Sequence, residues 1–261
     1  MKQRFSFACE WILEMGKLLR EAVISPFDFS TKTGHQDIVT EYDKKVEQYF
    51  RSNIHKNFPD DIIVGEEYAN TIENKEGIVW YIDPIDGTTN FVNLRKHFAI
   101  SIGCYQNERP YFALVLDVIG NDLYTAFVGE GAFKNQQRIG LDEPASDFRK
   151  MILSTPNVPD AFWRDYPWRS SMRALADEVR AVRSLGSVAL ELCAVAEGVV
   201  DIFVAMRSAP WDHNAARLIL QESGCYISAL GQSELPVDKE MSIFACRSKV
   251  VYHKLRETYG F

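Results

Sequence analysis

"WYIDPIDGTTNF", residues 80–91, breaks a pattern. The short apolar run Ile78 to Ile82 marks a buried strand, and it ends abruptly in Asp83. A proline and a second carboxylate, Asp86, follow, and then Gly87, Thr88, Thr89 and Asn90. Two other apolar segments end in acids: Ile62 to Val64 runs into Gly65, Glu66 and Glu67, and Trp211 is followed by Asp212. Taken singly, each acid reads as a solvated turn or a cap, and Asp86 before Gly-Thr-Thr has the form of an N-cap. Strand ends in α/β folds are also where ligand clefts form. Brought into one cleft, these carboxylates raise each other's pKa, and a hard divalent cation removes the conflict. Oxygen-only donors without His or Cys spacing suit Mg²⁺, or Mn²⁺, rather than zinc. The D-P-I-D turn sets Asp83 and Asp86 at neighbouring positions with the Ile85 carbonyl between them. Gly87-Thr88-Thr89 opens a helix whose free N–H groups form an anion site beside the cation.

The rest of the chain bounds this reading. Its 261 residues, 46% hydrophobic, suffice for one large domain or two packed subdomains. The net charge is -7 and no Lys/Arg run occurs, which argues against nucleic-acid binding and against anionic membranes. Five cysteines stand singly, mostly in apolar runs and without C-x-x-C spacing, as in a reduced cytoplasmic protein. The N-terminus carries too many interior charges for a secretory signal, and no apolar stretch approaches a membrane span. Ala8, Ile12, Met15, Leu19 and Ala22 predict an amphipathic helix over 5–23, followed by a polar loop over 24–37. Thr40 and Asp43 form a capping-box pattern opening a helix with Tyr42, Val46, Tyr49 and Phe50 on one face. Strands at 98–105, 111–118 and 122–128, separated by turn residues, predict antiparallel sheet. Beyond about residue 150, strands at 151–154, 179–183, 200–204 and 225–229 alternate with helices near 187–197 and 212–222, and a last helix covers 248–258. The change of texture at 142–148 predicts an N-terminal α+β subdomain, 1–145, carrying most of the acids. An α/β subdomain, 146–261, would close the cleft.

"GEE" at 65–67, "DPIDGTTNF" at 83–91 and "WDHNAARLILQESG" at 211–224 resemble the inositol monophosphatase family. "DIVTEYD" at 37–43, "GEGAF" at 129–133 and "RSLGS" at 183–187 fit in the same order. This family belongs to the Mg²⁺-dependent, lithium-sensitive phosphatase superfamily that includes fructose-1,6-bisphosphatase. The resemblance implies an α/β (α+β) fold, a layered α-β-α-β-α sandwich of the sugar-phosphatase type, usually in a homodimer. It implies two to three Mg²⁺ per site. Glu66, Asp83 and the Ile85 carbonyl would hold the first. Asp83 would bridge to a second, completed by Asp86 and Asp212, and a weaker third would lie near Glu66 and the 28–37 loop. Thr88 and Asp43 would take the proton of the attacking water, with Glu66 assisting. Gly87 and Thr88 would hold the phosphate, with Asp86, Asp212, Gly186 and Ser187 on the substrate side. Glu67 would support Glu66, and Lys32 is either a family lysine or an ordinary solvated one.

The implied activity is hydrolysis of a small phosphorylated metabolite, an inositol phosphate or a related sugar or nucleotide phosphate. A bisphosphorylated substrate or histidinol phosphate is an alternative, and a catalytically silent regulatory binding protein is an alternative of another class. Two features depart from the inositol-preferring pattern. Ala205 stands where such members carry a hydroxyl-binding Glu, with Arg207 nearby, and Asn214 precedes Ala215 and Ala216. Ala205 predicts weak selectivity for inositol 1-phosphate, and Arg207 predicts a grip on a second anionic group. The D-x-x-D-G-T spacing does not match the D-x-D-G-T of aspartyl-phosphate phosphatases, and no EF-hand calcium-loop spacing is present.

Overall fold

Helix α1 (Lys2–Ala22) forms where apolar residues recur every three or four positions, and it buries Ala8, Ile12, Met15, Leu19 and Ala22. The computed structural model describes residues 1–31, 38–68, 76–140, 146–232 and 234–261. After α1, β1 (Phe29–Thr31) and β2 (Ile38–Thr40) pair antiparallel, so the segment read as a polar loop over 24–37 contains a strand. Helix α2 (Glu41–Asn57) opens on the expected capping box. Thr40 Oγ1 accepts from Tyr42 N at 3.1 Å, and Asp43 Oδ2 accepts from Thr40 N at 2.8 Å.

Strand β3 (Ile62–Gly65) runs parallel to β4 (Ile78–Asp86). The structure corrects the reading that this strand stops at Asp83. Pairing with the next strand resumes after a bulge, with Asp83 opposite Ser101 and Asp86 opposite Ala99. Pro84 has no N–H to offer the ladder, so an irregularity there removes no hydrogen bond. Helix α3 (Thr88–Asn93) follows, then β5 (Ala99–Gln106), β6 (Arg109–Asp117), β7 (Asp122–Phe127), β8 (Gly131–Lys134) and β9 (Gln137–Arg138). These make a seven-stranded sheet in the order β3-β4-β5-β6-β7-β8-β9, antiparallel from β4 onward.

The second half supplies β10 (Ile152–Ser154), α4 (Val158–Phe162), α5 (Arg169–Glu178), β11 (Ala181–Arg183), α6 (Val188–Glu197), β12 (Ile202–Ser208), α7 (Pro210–Glu222), β13 (Tyr226–Ala229), β14 (Met241–Cys246) and α8 (Lys249–Tyr259). Its sheet has the order β11-β10-β12-β14-β13. The first three strands are parallel, while β14 runs antiparallel to both neighbours. Strand β14 was not anticipated and makes this sheet mixed. The expected boundary at 142–148 falls largely on 141–145, outside the described residues.

Three apolar clusters define five layers. Trp11, Ile12, Val46 and Phe50 of α1 and α2 pack on Trp80, Ile102 and Phe112 of the large sheet. On its other face, Leu192 of α6 and Leu218 and Ile219 of α7 lie between Ala113 and Val115 of that sheet and Phe203, Ala205 and Ala245 of the small one. Met172 and Leu175 of α5 and Leu255 of α8 cover the far face of the small sheet, against Ile202, Val204 and Phe244. The fold is therefore an α-β-α-β-α sandwich. Helix α7 lies almost on the backbone of β5: a Cβ at Gly103 would stand 3.0 Å from Ala215 N. Burying Leu218 and Ile219 contributes roughly 1.5–3 kcal/mol each, which fixes α7 and its first turn between the sheets. Among the described residues, no helix is long and apolar enough to cross a membrane.

Candidate active site

The acids converge where β3, β4 and β12 run out. Within the β4 bulge, Ile85 N donates to Asp83 Oδ1 at 3.0 Å, and Asp83 and Asp86 are only 2% and 6% exposed. Asp86 does not cap α3, as its place before Gly-Thr-Thr suggested. The N-cap of α3 is Gly87, at φ 94°, and Asp86 instead accepts across the layer boundary from the start of α6. Its donors are Ser187 Oγ at 2.5 Å, Ala189 N at 2.6 Å and Val188 N at 3.2 Å. The close approach of α3 to that segment requires glycine, since a Cβ at Gly87 would stand 3.1 Å from the Gly186 carbonyl oxygen. Thr88, the first residue of α3, places its hydroxyl 3.1 Å from Asp43 Oδ1 and 3.0 Å from the Ile85 carbonyl. Asp43 is fully buried, and its Oδ2 also accepts from Thr40 Oγ1 at 2.6 Å.

Asp212 lies in the first turn of α7 and accepts from Ala209 N at 2.7 Å. Glu66 follows β3 in a turn seated on Glu47, a buried residue of α2 that the sequence reading passed over. Glu47 accepts from Glu67 N and from Arg51 Nε, both at 2.7 Å. A Cβ at Gly65 would stand 2.2 Å from Glu47 Oε1, so a side chain there would displace the Glu47 carboxylate. The place of Glu47 beside Val46 and Phe50, four residues after Asp43 on the buried face of α2, was the available signal.

The charges oppose one another. Burial pushes the Asp83 carboxyl well above the usual range, and Glu66, Asp86, Asp212 and Asp43 push it further. Asp212 is raised by burial, Asp86 and Glu66, with the Ala209 N–H opposing. Asp86 is pushed up to about 6 by burial, against the donors Ser187, Ala189 and Val188. Glu66, Asp83, Asp86 and Asp212 thus share one field, and the groups that hold Asp86 and Asp212 down are neutral donors rather than cations. Among the described residues, no three His, Cys, Asp or Glu side chains cage an ion by themselves. The donor chemistry nonetheless fits Mg²⁺, which uses one or two carboxylates and completes its shell with water and substrate oxygens. The carboxylates and the Ile85 carbonyl could hold such ions.

Other expected residues are placed as follows. Gly186 (φ 79°) and Ser187, the N-cap of α6, lie beside Gly87. Asn90 Nδ2 donates to the carbonyls of Leu185 at 2.6 Å and His97 at 2.8 Å. Glu191 is fully buried under the same turn; burial pushes it up to about 7 against donors from Ser154, Gly186 and Leu185. Neither Asn90 nor Glu191 was singled out from the sequence. Ala205 is buried in the core between the sheets. The Arg207 fork closes on Glu240 at 3.0 and 3.1 Å, with both side chains more than half exposed, so it is not turned onto the carboxylate cluster. Glu240 is near enough to add to the upward push on Asp212. Asn214 is a structural residue: its Nδ2 donates to the Val237 carbonyl, and its carbonyl accepts from Tyr105 Oη. Lys32 lies outside the described residues.

Comparison with known proteins gives a consistent result. The model of the inositol monophosphatase family matches residues 1–258. The inositol-1-monophosphatase of Bacillus subtilis (strain 168) is 38% identical over 219 residues, covering 83% of this chain and 82% of that protein. Among solved structures, SaIMPase-II of Staphylococcus aureus with inositol monophosphate bound is 28% identical, with a TM-score of 0.86 and coverage of 98% of this chain and 93% of that one. The same protein with 2′AMP bound gives a TM-score of 0.85 at 28% identity, covering 98% and 94%.

Proposed function

Because the chain belongs to the inositol monophosphatase family, we propose that its carboxylate cluster is the Mg²⁺ site of a phosphoric monoester hydrolase. The observation that carries this reading is the mutual elevation of the buried acids beside a helix start that offers free N–H groups. Glu66, Asp83, Asp86, Asp212 and the Ile85 carbonyl would hold two to three ions, with Mn²⁺ as a substitute. Bound Mg²⁺ supplies Lewis-acid charge that activates water and offsets the charge of the phosphoryl group and the leaving oxygen.

The chain's own residues do the rest. The Gly87 and Thr88 N–H groups orient the phosphate oxygens, with Asp86 and Asp212 beside them. The Thr88 hydroxyl, 3.1 Å from Asp43, receives the proton of the attacking water and passes its own to Asp43 Oδ1. Glu66 assists, and Glu67, through its N–H on Glu47, steadies the turn that carries Glu66. Gly186 and Ser187 face the alcohol portion of the substrate, and the Arg207–Glu240 pair borders it.

The substrate class is a small phosphate monoester of a polyol or nucleoside. The inositol monophosphate and 2′AMP bound to SaIMPase-II support it. The buried, apolar Ala205 favours breadth over inositol selectivity. Family membership supports inhibition by Li⁺ and Ca²⁺ and a homodimer as further parts of this reading. The five unpaired thiols support the cytoplasm.

The test is phosphate release from inositol 1-phosphate, 2′-AMP, fructose 1,6-bisphosphate and histidinol phosphate, with Mg²⁺ and with excess chelator. Mg²⁺-dependent turnover of at least one is expected. Undiminished turnover in chelator would overturn the metal assignment, and no turnover of any would overturn the substrate class.

A further inference from the structure

We infer that Glu191 is a positioning residue that fixes the peptide orientation of the Leu185–Gly186 turn on the substrate side of the cleft. The inference rests on the assignment of Gly186 and Ser187 to that side. Glu191 stands in α6, facing back toward the segment that leads into the helix. Its Oε1 accepts from Leu185 N at 2.9 Å and Gly186 N at 2.8 Å, and its Oε2 accepts from Ser154 Oγ of β10. The Leu185 peptide is therefore gripped at both polar ends, because its carbonyl accepts from Asn90. Gly186 has no freedom to carry a side chain: a Cβ there would stand 3.0 Å from Asn90 Nδ2.

The consequence is directional. With both N–H groups turned inward onto Glu191, the Gly186 carbonyl faces Gly87 at the phosphate-holding end of α3. Asp86 takes the next donors along, Ser187 Oγ, Val188 N and Ala189 N. Two carboxylates thus order the whole entry to α6, one of them in the proposed metal set and the other outside it. A buried carboxylate is costly, and removing it leaves two backbone donors without partners. The turn then rotates toward whatever acceptor the cleft offers, including the substrate.

A purely structural alternative is that Glu191 only ties α6 to β10 through Ser154. Ser154→Ala separates the two, since it removes that tie and leaves both turn bonds in place. The expected result for Glu191→Ala is a KM raised about tenfold with kcat within about twofold, the substrate being whichever monoester wild type turns over best. Glu191→Gln keeps an acceptor for the turn and should restore KM to within about twofold of wild type. Ser154→Ala should lower the melting temperature without moving KM. Amide exchange over 184–190 should quicken about tenfold in Glu191→Ala and stay unchanged in Ser154→Ala. If Glu191→Ala does not fold, Glu191→Asp, one methylene too short to span both partners, is expected to shift KM and exchange the same way. An unchanged KM in the folded Ala or Asp variant, or an equal KM shift in Ser154→Ala, overturns the inference. Absence of turnover in wild type would strike the phosphatase reading instead. Exchange over 184–190 then decides this one, and unchanged exchange rejects it.

Discussion

Replacing Asp86 by asparagine is expected to stabilise the metal-free protein while disabling the metal-loaded one. The folded carboxyl is pushed from 3.8 to about 6, chiefly by burial. The folded state therefore holds the proton more tightly than the unfolded chain. Stability from this group is complete below the unfolded value and is lost as pH rises through about 6. Above that, the ionised form costs two pKa units at about 1.4 kcal/mol each, roughly 3 kcal/mol. Asparagine resembles the protonated form. With its oxygen in the Oδ2 place it can accept from both Ser187 Oγ and Ala189 N, while the 3.2 Å bond from Val188 N, made to Oδ1, is lost to the amide NH2. Allowing for that loss, a net gain of about 1–2 kcal/mol remains, or roughly 3–6 °C for a chain of this size. The assay is thermal unfolding of wild type and Asp86→Asn in chelator across the pH range, and again with saturating Mg²⁺. In chelator at neutral pH the variant should melt higher, and the gap should close as pH falls below about 4. With Mg²⁺ the order should reverse, and turnover should fall by at least about tenfold. A variant less stable than wild type in neutral chelator, or a gap that ignores pH, would refute the account of the site as a cluster of repelling acids.

Thr88→Ala removes the hydroxyl proposed to link the attacking water to Asp43; kcat should drop roughly 10²–10³-fold with KM and melting temperature nearly unchanged, and retention of half the activity would exclude the relay. Arg207→Ala breaks a half-exposed pair, so the stability loss should stay below about 1 kcal/mol. It also leaves Glu240 uncompensated near Asp212, and kcat/KM for a bisphosphate relative to inositol 1-phosphate should fall about three- to tenfold. An unchanged ratio would remove the pair from the border of the substrate.

The outer features were legible in the sequence because each has a local cause. The 3.6-residue period fixed α1, the Thr40–Asp43 box fixed the start of α2, and turn residues marked the β5–β7 meander. The acids themselves stood out as charges where apolar runs end. What was not legible depends on contacts distant in sequence. That Asp86 serves α6 rather than α3 is decided by a partner 101 residues away. Glu47 and Glu191 look like ordinary helix charges until the chain folds Glu67 N or Leu185 N onto them. Strand β14 was hidden because its six residues follow an irregular stretch and offer no alternation, both faces being covered. Arg207 was expected to grip an anionic substrate group, but Glu240, 33 residues on, already occupies its fork.

The way the acids are held bears on what the site is for. Among the described residues, Asp83, Asp86 and Asp212 are oriented by neutral donors: Ile85 N, Ser187 with two α6 N–H groups, and Ala209 N. Neutral donors fix direction without cancelling charge. A lysine or arginine in the same places would have satisfied the carboxylates permanently, as Arg4 does for Asp61 beneath the first layer. Among the described residues no such cation pairs with Asp83, Asp86 or Asp212, and burial with mutual repulsion raises the Asp83 and Asp212 carboxyls well above the usual range. An exchangeable cation arriving with a phosphate would lower them and could leave again. Asp86 gives that exchange a mechanical consequence, because the carboxylate that would bind the ion also holds the start of α6. Binding at the end of the large sheet would therefore bear on the helix layer between the two sheets, where Gly186 and Ser187 are proposed to meet the substrate.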